Sequence, residues 1–304
     1  MRNITIKSEK YIATICPDVG GNCIRLTHLP TGTNILRSPN TIKDLKQTPL
    51  LYGTPILIPP NRIRYGKCIY HGREYVFPLN EPEHNNHCHG ELYRMPLEVF
   101  EKTDDSVTFR LYSNRQYLGF PHEVELHLSF KVCEKGLYKK VTIRNCGDED
   151  MPFAIAFHTT FPLNFLGGQP EEYALKIPVV REFLRDMTDY IPTGEIDENF
   201  QEKEELRKGE YIPAKHFITK FTEIDGDTCE IIHKPTGKRI VYQADEQYKF
   251  RHIFNGGSKE FICVEPQTCR IDGLNVWGDL PEVGILEIKG NDELTLQSKI
   301  EFKE

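Results

Sequence analysis

The chain has 304 residues, with 38 Lys and Arg against 45 Asp and Glu, a formal net charge of −7. That acidic balance argues against nucleic-acid binding, which needs a clear basic excess, and no apolar run approaches the roughly 18 residues of a membrane span. With 38% hydrophobic residues the chain can build a substantial core. The expectation is one cytoplasmic domain over residues 1–304 with no membrane partner. The first residues, MRNITIKSEKYIATI, alternate in character rather than forming a signal-peptide block.

Period two dominates from the start. Asn3–Lys7 and Tyr11–Ile15 alternate as strands do, and Thr41–Gln47 allows two helical turns. Val107–Leu111 follows, then the clearest case, His122–Val132. There Val124, Leu126, Leu128, Phe130 and Val132 fall on one face, with Glu123, Glu125, His127, Ser129 and Lys131 on the other. Lys140–Ile143 continues the pattern. Asp197–Lys208 is charged and predicts an exposed three-turn helix stopped by Gly209. Further strands are expected at Phe217–Phe221, Cys229–Ile232, Arg239–Tyr242 and Leu294–Phe302. Phe261–Val264 and Ile285–Ile288 are shorter and more apolar, as central strands can be.

Pro-Thr-Gly turns at 30–32, 192–194 and 235–237 punctuate these runs. No GxGxxG, P-loop or strand–helix alternation is present, which disfavours an α/β fold. The class is therefore all-β, a large antiparallel sandwich with few short helices. Nine scattered cysteines without a C-x-x-C pair read as reduced, apolar fillers.

Four segments interrupt the alternation with residues suited to chemistry. Pro59–Gly66 carries Asn61, Arg62 and Arg64, donors for hydroxyls, carboxylates or phosphates. Glu83–Gly90 carries His84, His87, Cys88 and His89. A metal site there is disfavoured, because on a strand His87 and His89 share a face while Cys88 points away. Met151–Phe165 delivers His158 at the end of an apolar run, either as a core residue or as a group titrating near neutrality. In Phe261–Asn275, Glu265 follows four apolar residues. A carboxylate so placed needs a partner or a function, and Pro266 after it is expected to end the strand and hold the carboxylate at a sheet rim.

In this order, the segments resemble the aldose 1-epimerase (galactose mutarotase-like) family. Asn61-Arg62-Ile63 is similar to its N-R-I segment, His89-Gly90 to its L-H-G-G, Phe157–Phe161 to its H-x-Y/T-F, and Cys263–Thr268 to its late E-P/T-Q element. Asp272–Asn275 resembles its D-A-x-N. The likeness spans nearly the whole chain.

The resemblance implies a β-supersandwich of large antiparallel sheets with a monosaccharide or sugar derivative in a groove. It further implies Glu265 as general base, His158 as general acid, and Arg62, His89 and Asn61 as substrate-binding residues, with neither cofactor nor metal. The family's mid-chain Asp is missing: Lys215 and His216 stand where it is sought. Arg62, Arg64, Lys67, Arg73 and Arg94 cluster in sequence around the groove motifs, as either a solvated basic face or a site for a charged sugar. Two other readings stay open: a carbohydrate-binding or sensing protein on the same scaffold, and a metal-dependent enzyme using His84, His87 and His89.

Overall fold

In Glu123–Cys133, Val124, Leu126, Leu128, Phe130 and Val132 are buried while Glu125, His127, Ser129 and Lys131 retain contact with solvent. Successive strand residues face opposite sides of a sheet, so this sequence can bury only one face. The structure, a computed structural model, describes residues 3–117 and 119–304. In it this strand belongs to an eight-stranded antiparallel sheet. The order is Glu98–Lys102, Ser106–Asn114, Glu123–Cys133, Gly136–Asn145, Glu293–Lys303, Arg239–Ala244, Thr228–His233 and Tyr173–Lys176.

A second eight-stranded antiparallel sheet runs Pro192–Asp197, Val179–Arg185, Thr219–Ile224, Phe250–Phe254, Phe261–Gln267, Ala156–Phe157 and Ile56–Leu57. Thr160–Pro162 also pairs with Phe261–Gln267. Phe157, Ile253, Ile262 and Val264 of this sheet share one hydrophobic cluster with Leu126, Leu128 and Phe130 of the first, so the sheets meet through their apolar faces. A four-stranded sheet from Ile4 to Asn34 adds Ile6, Ala13 and Ile15 to the same core. This is the layered all-β architecture expected.

The core face of the second sheet fixes its other face. With Ile253, Ile262 and Val264 inward, alternation turns Phe250, His252 and Phe254 outward, together with Cys263, Glu265 and Gln267.

Several local expectations change. Pro266 does not end its strand, which runs on to Gln267 with Pro266 in register with Arg251. The proline is tolerated because the N–H it lacks belongs on the edge where Val264 and Thr268 donate to Thr159 and Ile155. Between those contacts the neighbouring chain turns away at His158, whose own N–H donates to Pro55. Glu265 thus sits inside the sheet rather than at its rim.

Ile285–Ile288 is not central: Leu286–Ile288 pairs only with Met151–Phe153 in a two-stranded ribbon. The predicted Phe217–Phe221 strand starts at Thr219, leaving Phe217 exposed. The charged helix shrinks to Lys203–Lys208 because Asp197 closes the preceding strand. Gly209 ends it in the left-handed conformation, φ 78°, and Leu206 anchors it in the core. Ile42–Gln47 forms as expected, capped by reciprocal hydrogen bonds between Thr41 and Asp44.

Candidate active site

Antiparallel register sets His252 directly opposite Glu265, both facing away from the core. Glu265 is fully buried and neither oxygen has a hydrogen-bond partner. Two imidazoles flank it: His158 Nε2 lies 3.3 Å from Oε1, and His252 Nδ1 lies 3.8 Å from Oε2. His158 reaches this position where the chain leaves the sheet after Ala156–Phe157 and rejoins it at Thr160, opposite Cys263. His252 Nε2 faces Thr219 Oγ1 at 3.3 Å.

Burial controls the proton inventory. It pushes the His158 imidazole down to about 4 and the His252 imidazole well below its ordinary value. It lifts the Glu265 carboxyl well above the usual carboxylate range, opposed by the nearby charges of Arg185 and Arg62. Both shifts favour the uncharged pair, Glu–COOH with neutral imidazole, over carboxylate with imidazolium. A transfer within the pair turns Glu–COOH and neutral imidazole into carboxylate and imidazolium without any exchange with water.

A third imidazole, His89, stands with its ring centroid 5.8 Å from that of His158. Its backbone N–H donates to the Asn61 carbonyl at 2.8 Å, and the Asn61 N–H donates to His89 Nδ1 at 3.2 Å. Nδ1 therefore accepts, which leaves the proton on Nε2 as a donor. Gly90 permits this loop: a Cβ there would sit 1.9 Å from the Ile58 carbonyl oxygen, at φ 64°. Asn61 is fully buried behind His89, its amide 3.5 Å from Gln267 Oε1.

Arg62 donates through Nε and Nη2 to the two Glu81 oxygens at 2.7 and 2.8 Å, with Tyr190 stacked 4.4 Å from its guanidinium. Burial works against its charge, but the Glu81 hydrogen bonds outweigh it and hold the guanidinium above its ordinary value. Arg62–Arg64 is a short strand paired with Asn86–Cys88, and the late Asp272–Asn275 motif holds it in place. Asp272 donates its N–H to the Arg62 carbonyl at 3.0 Å and accepts from the Arg64 N–H at 3.0 Å, and Asn275 donates to the Lys67 carbonyl at 2.8 Å.

An open cleft of about 730 Å³ lies over these groups, walled by Arg62, His89, His158, Arg185, His252 and Phe254. Its size suits a small ligand, for which pockets are roughly 300–1,000 Å³. A second cavity, behind the Arg62–Arg64 strand, is walled mainly by apolar side chains such as Tyr75, Phe77, Phe120 and Leu126, and no acid–base pair lines it among the described residues.

The sequence-predicted groups divide accordingly. His158, Glu265, His89 and Arg62 converge, and Asn61 orients His89 from behind. The expected strand geometry of the histidine cluster is reversed. His87 turns away, fully buried against the Pro78 carbonyl at 2.7 Å, whereas Cys88 lines the cleft. The strand ends at Cys88, and His89 takes a left-handed conformation, φ 63°, which swings it toward His158.

The three histidines of the metal reading do not meet. The grouping with metal-ligand spacing among the described residues is His158, Cys263 and Glu265. Burial lifts the Cys263 thiol well above its ordinary value and Thr160 Oγ1 lies 3.3 Å from it, a poor fit to a thiolate ligand.

Of the basic cluster only Arg62 and Arg94 line the cleft. Lys67 and Arg73 are exposed and pair with Glu74 and Glu149. Lys215 and His216 are exposed outside the cleft, and Phe217 and Thr219 occupy its wall instead.

His252 and Arg185 were missed. Phe250, His252 and Phe254 do alternate, a signal for a polar-lined strand face; Arg185 lies in a run, Val179–Arg185, with no such period.

Comparison with known proteins identifies the family and the fold. Residues 2–285 match the family model described as Aldose 1-epimerase. An uncharacterized Escherichia coli K12 protein, YihR, is 26% identical over 287 residues, covering 92% of this chain and 88% of its own. A galactose mutarotase-like protein from Clostridium acetobutylicum superposes with a TM-score of 0.93 at 29% identity, over 99% of this chain and 95% of the other. Galactose 1-epimerase from Lactobacillus acidophilus shares the fold, with a TM-score of 0.76 at 16% identity over 99% and 94% of the two chains. With the family matched over nearly its whole length, the chain belongs to the aldose 1-epimerase family of isomerases.

Proposed function

We propose that this protein is a mutarotase, interconverting the α and β anomers of an aldose by opening and reclosing the pyranose ring in this cleft. The supporting observation is the 3.3 Å approach of Glu265 Oε1, buried beneath the cleft, to Nε2 of the cleft-lining His158. The anomeric hydroxyl and the ring oxygen share one carbon. Groups that serve both must therefore stand a few ångström apart, as these do.

The shared proton gives the sequence of events. Starting from carboxylate and imidazolium, Glu265 takes the proton of the anomeric hydroxyl while His158 gives one to the ring oxygen, and the C1–O5 bond breaks. The open aldehyde then faces the neutral pair, Glu–COOH with imidazole. After rotation about C1–C2, the C5 hydroxyl attacks the other face of the carbonyl. His158 takes back the hydroxyl proton and Glu265 returns its own to the new anomeric oxygen.

The pair starts and ends in the same state, no electrons are transferred, and no redox cofactor is needed. Glu265 has no exposed surface, so the sugar hydroxyl takes over the contact that His158 now makes on it. His89 Nε2–H and the Arg62 guanidinium donate to ring or hydroxyl oxygens, with Asn61 and Glu81 fixing their directions. Proton transfer of this kind contributes about 10²–10⁴-fold in rate.

Polarimetry on freshly dissolved α-glucose and α-galactose, and on their acidic derivatives, tests the reading. Accelerated mutarotation of at least one supports it. Sugar binding without acceleration of any sugar contradicts it and leaves a carbohydrate-binding protein.

A further inference from the structure

One cation in the cleft has no counter-charge of its own. Arg62 is closed on Glu81, and Arg94 at the rim pairs with Glu91 at 3.2 Å. Arg185 is held differently. Its Nη2 donates to the Thr219 carbonyl at 2.5 Å and to Thr219 Oγ1 at 3.1 Å, both neutral, and it enters no ion pair among the described residues. Burial and the Arg62 charge push it down to about 10, which still leaves it charged at neutral pH.

The nearby acids do not cancel it. Glu182 and Glu202 both bind Lys220, at 2.7 and 3.1 Å, and Lys220 is in register with Ile253 on the core side of the sheet, away from the cleft. Glu83 is on the exposed rim, where water screens it. Glu265 faces His158 and His252, at 3.3 and 3.8 Å, and forms no ion pair with Arg185 among the described residues. His89 and His252 are kept neutral by burial. The cleft therefore holds one guanidinium that no carboxylate contacts among the described residues.

We propose that the sugar selected here bears a single negative charge, an acid group outside the hemiacetal centre that the Arg185 guanidinium receives. This rests on the mutarotase reading and names its substrate class. A carboxylate, as in a uronic acid, matches both the charge and the planar donor fork. A phosphate monoester carries about −1.5 to −2 at pH 7 and overshoots the single charge available. A neutral aldose leaves the guanidinium buried with only hydroxyl and carbonyl partners.

The test measures kcat/KM for anomer exchange by saturation-transfer NMR with glucuronate, galacturonate, glucose, galactose and glucose 6-phosphate. In parallel, calorimetry compares methyl α-glucuronide with methyl α-glucoside, glycosides that cannot open. A preference of about tenfold or more for a uronate over its neutral parent is expected, from charge-assisted hydrogen bonds, with the same order in glycoside binding. Arg185→Gln should bring that ratio close to one, and Arg185→Lys should keep part of it.

Equal or better handling of the neutral sugars overturns the proposal, as does a preference for the phosphate over both uronates or a ratio unmoved in Arg185→Gln. The two readings separate cleanly. Selective binding of the charged glycoside without turnover of any sugar refutes only the mutarotase; turnover without charge preference refutes only the anionic substrate.

Discussion

Lys139→Met probes how the proposed catalytic pair, His158 and Glu265, is held. Lys139 is fully buried between the sheets, its Nζ donating to Thr54 Oγ1 and Tyr242 OH, each at 2.7 Å, and lying 3.8 Å from the Phe157 ring centroid. Thr159 Oγ1 joins the same cluster, 2.7 Å from Thr54 Oγ1 and 3.0 Å from Tyr242 OH. Thr159 follows His158, and its carbonyl accepts the N–H of Val264, the residue before Glu265. The cluster therefore anchors both strands that carry the pair.

Burial pushes the Lys139 amine well below its ordinary value. The neighbouring Cys23 thiol, itself raised to about 12 by burial, is neutral and supplies no counter-charge. The folded state thus binds one proton fewer than the unfolded chain at pH values above the folded pKa and below about 10.4. Stability from this group must rise with pH in that window, by about 1.4 kcal/mol per unit. Methionine removes two neutral hydrogen bonds, about 1 kcal/mol each, while the three hydroxyls keep one another as partners. Urea unfolding at pH 7, 8 and 9 should show the wild type gaining on the variant as pH rises, by up to about 1.4 kcal/mol per unit. Parallel stability curves would show that the ammonium stays charged in the fold and refute the reasoning.

Further outcomes follow from the same geometry. Acid should lower kcat/KM near 4, where the buried His158 imidazole gains its proton; a fall centred on about 6.5, the ordinary imidazole value, contradicts the buried-pair description. Glu81→Gln strips Arg62 of its carboxylate and should lower kcat/KM about tenfold or more and destabilise by about 3 kcal/mol, the effect of leaving a buried charge unpaired; unchanged urea midpoint and kinetics would contradict it. Gly90→Ala forces a Cβ against the Ile58 carbonyl at positive φ and should cost about 2–4 kcal/mol, read as a lower Tm with weakened activity through His89. An unshifted Tm rejects that packing.

Much of this was legible in the sequence because period two reports burial directly. The alternation of Val124 to Val132 requires a half-buried strand, and the apolar run before Glu265 marks a carboxylate that needs a partner or a function, though not its place inside the sheet rather than at the rim. What was hidden depends on contacts between distant segments. Pro266 continues its strand only because the chain opposite departs at His158. His87 and Cys88 exchanged faces because the strand ends before His89. His252 became visible only once register set it against Glu265. Arg185 gave no local signal at all, since its significance is the absence of a counter-ion, which only the assembled cleft defines.

The most direct measurement is anomer exchange followed by saturation-transfer NMR for the wild type, Glu265→Gln and His158→Ala on whichever sugar the wild type turns over. Each variant should lose about 10²-fold or more in kcat while still binding the sugar. The double variant should be little slower than either single one, because one proton passes between both groups. Full activity in both single variants would contradict the claim that this buried imidazole and carboxylate open the ring.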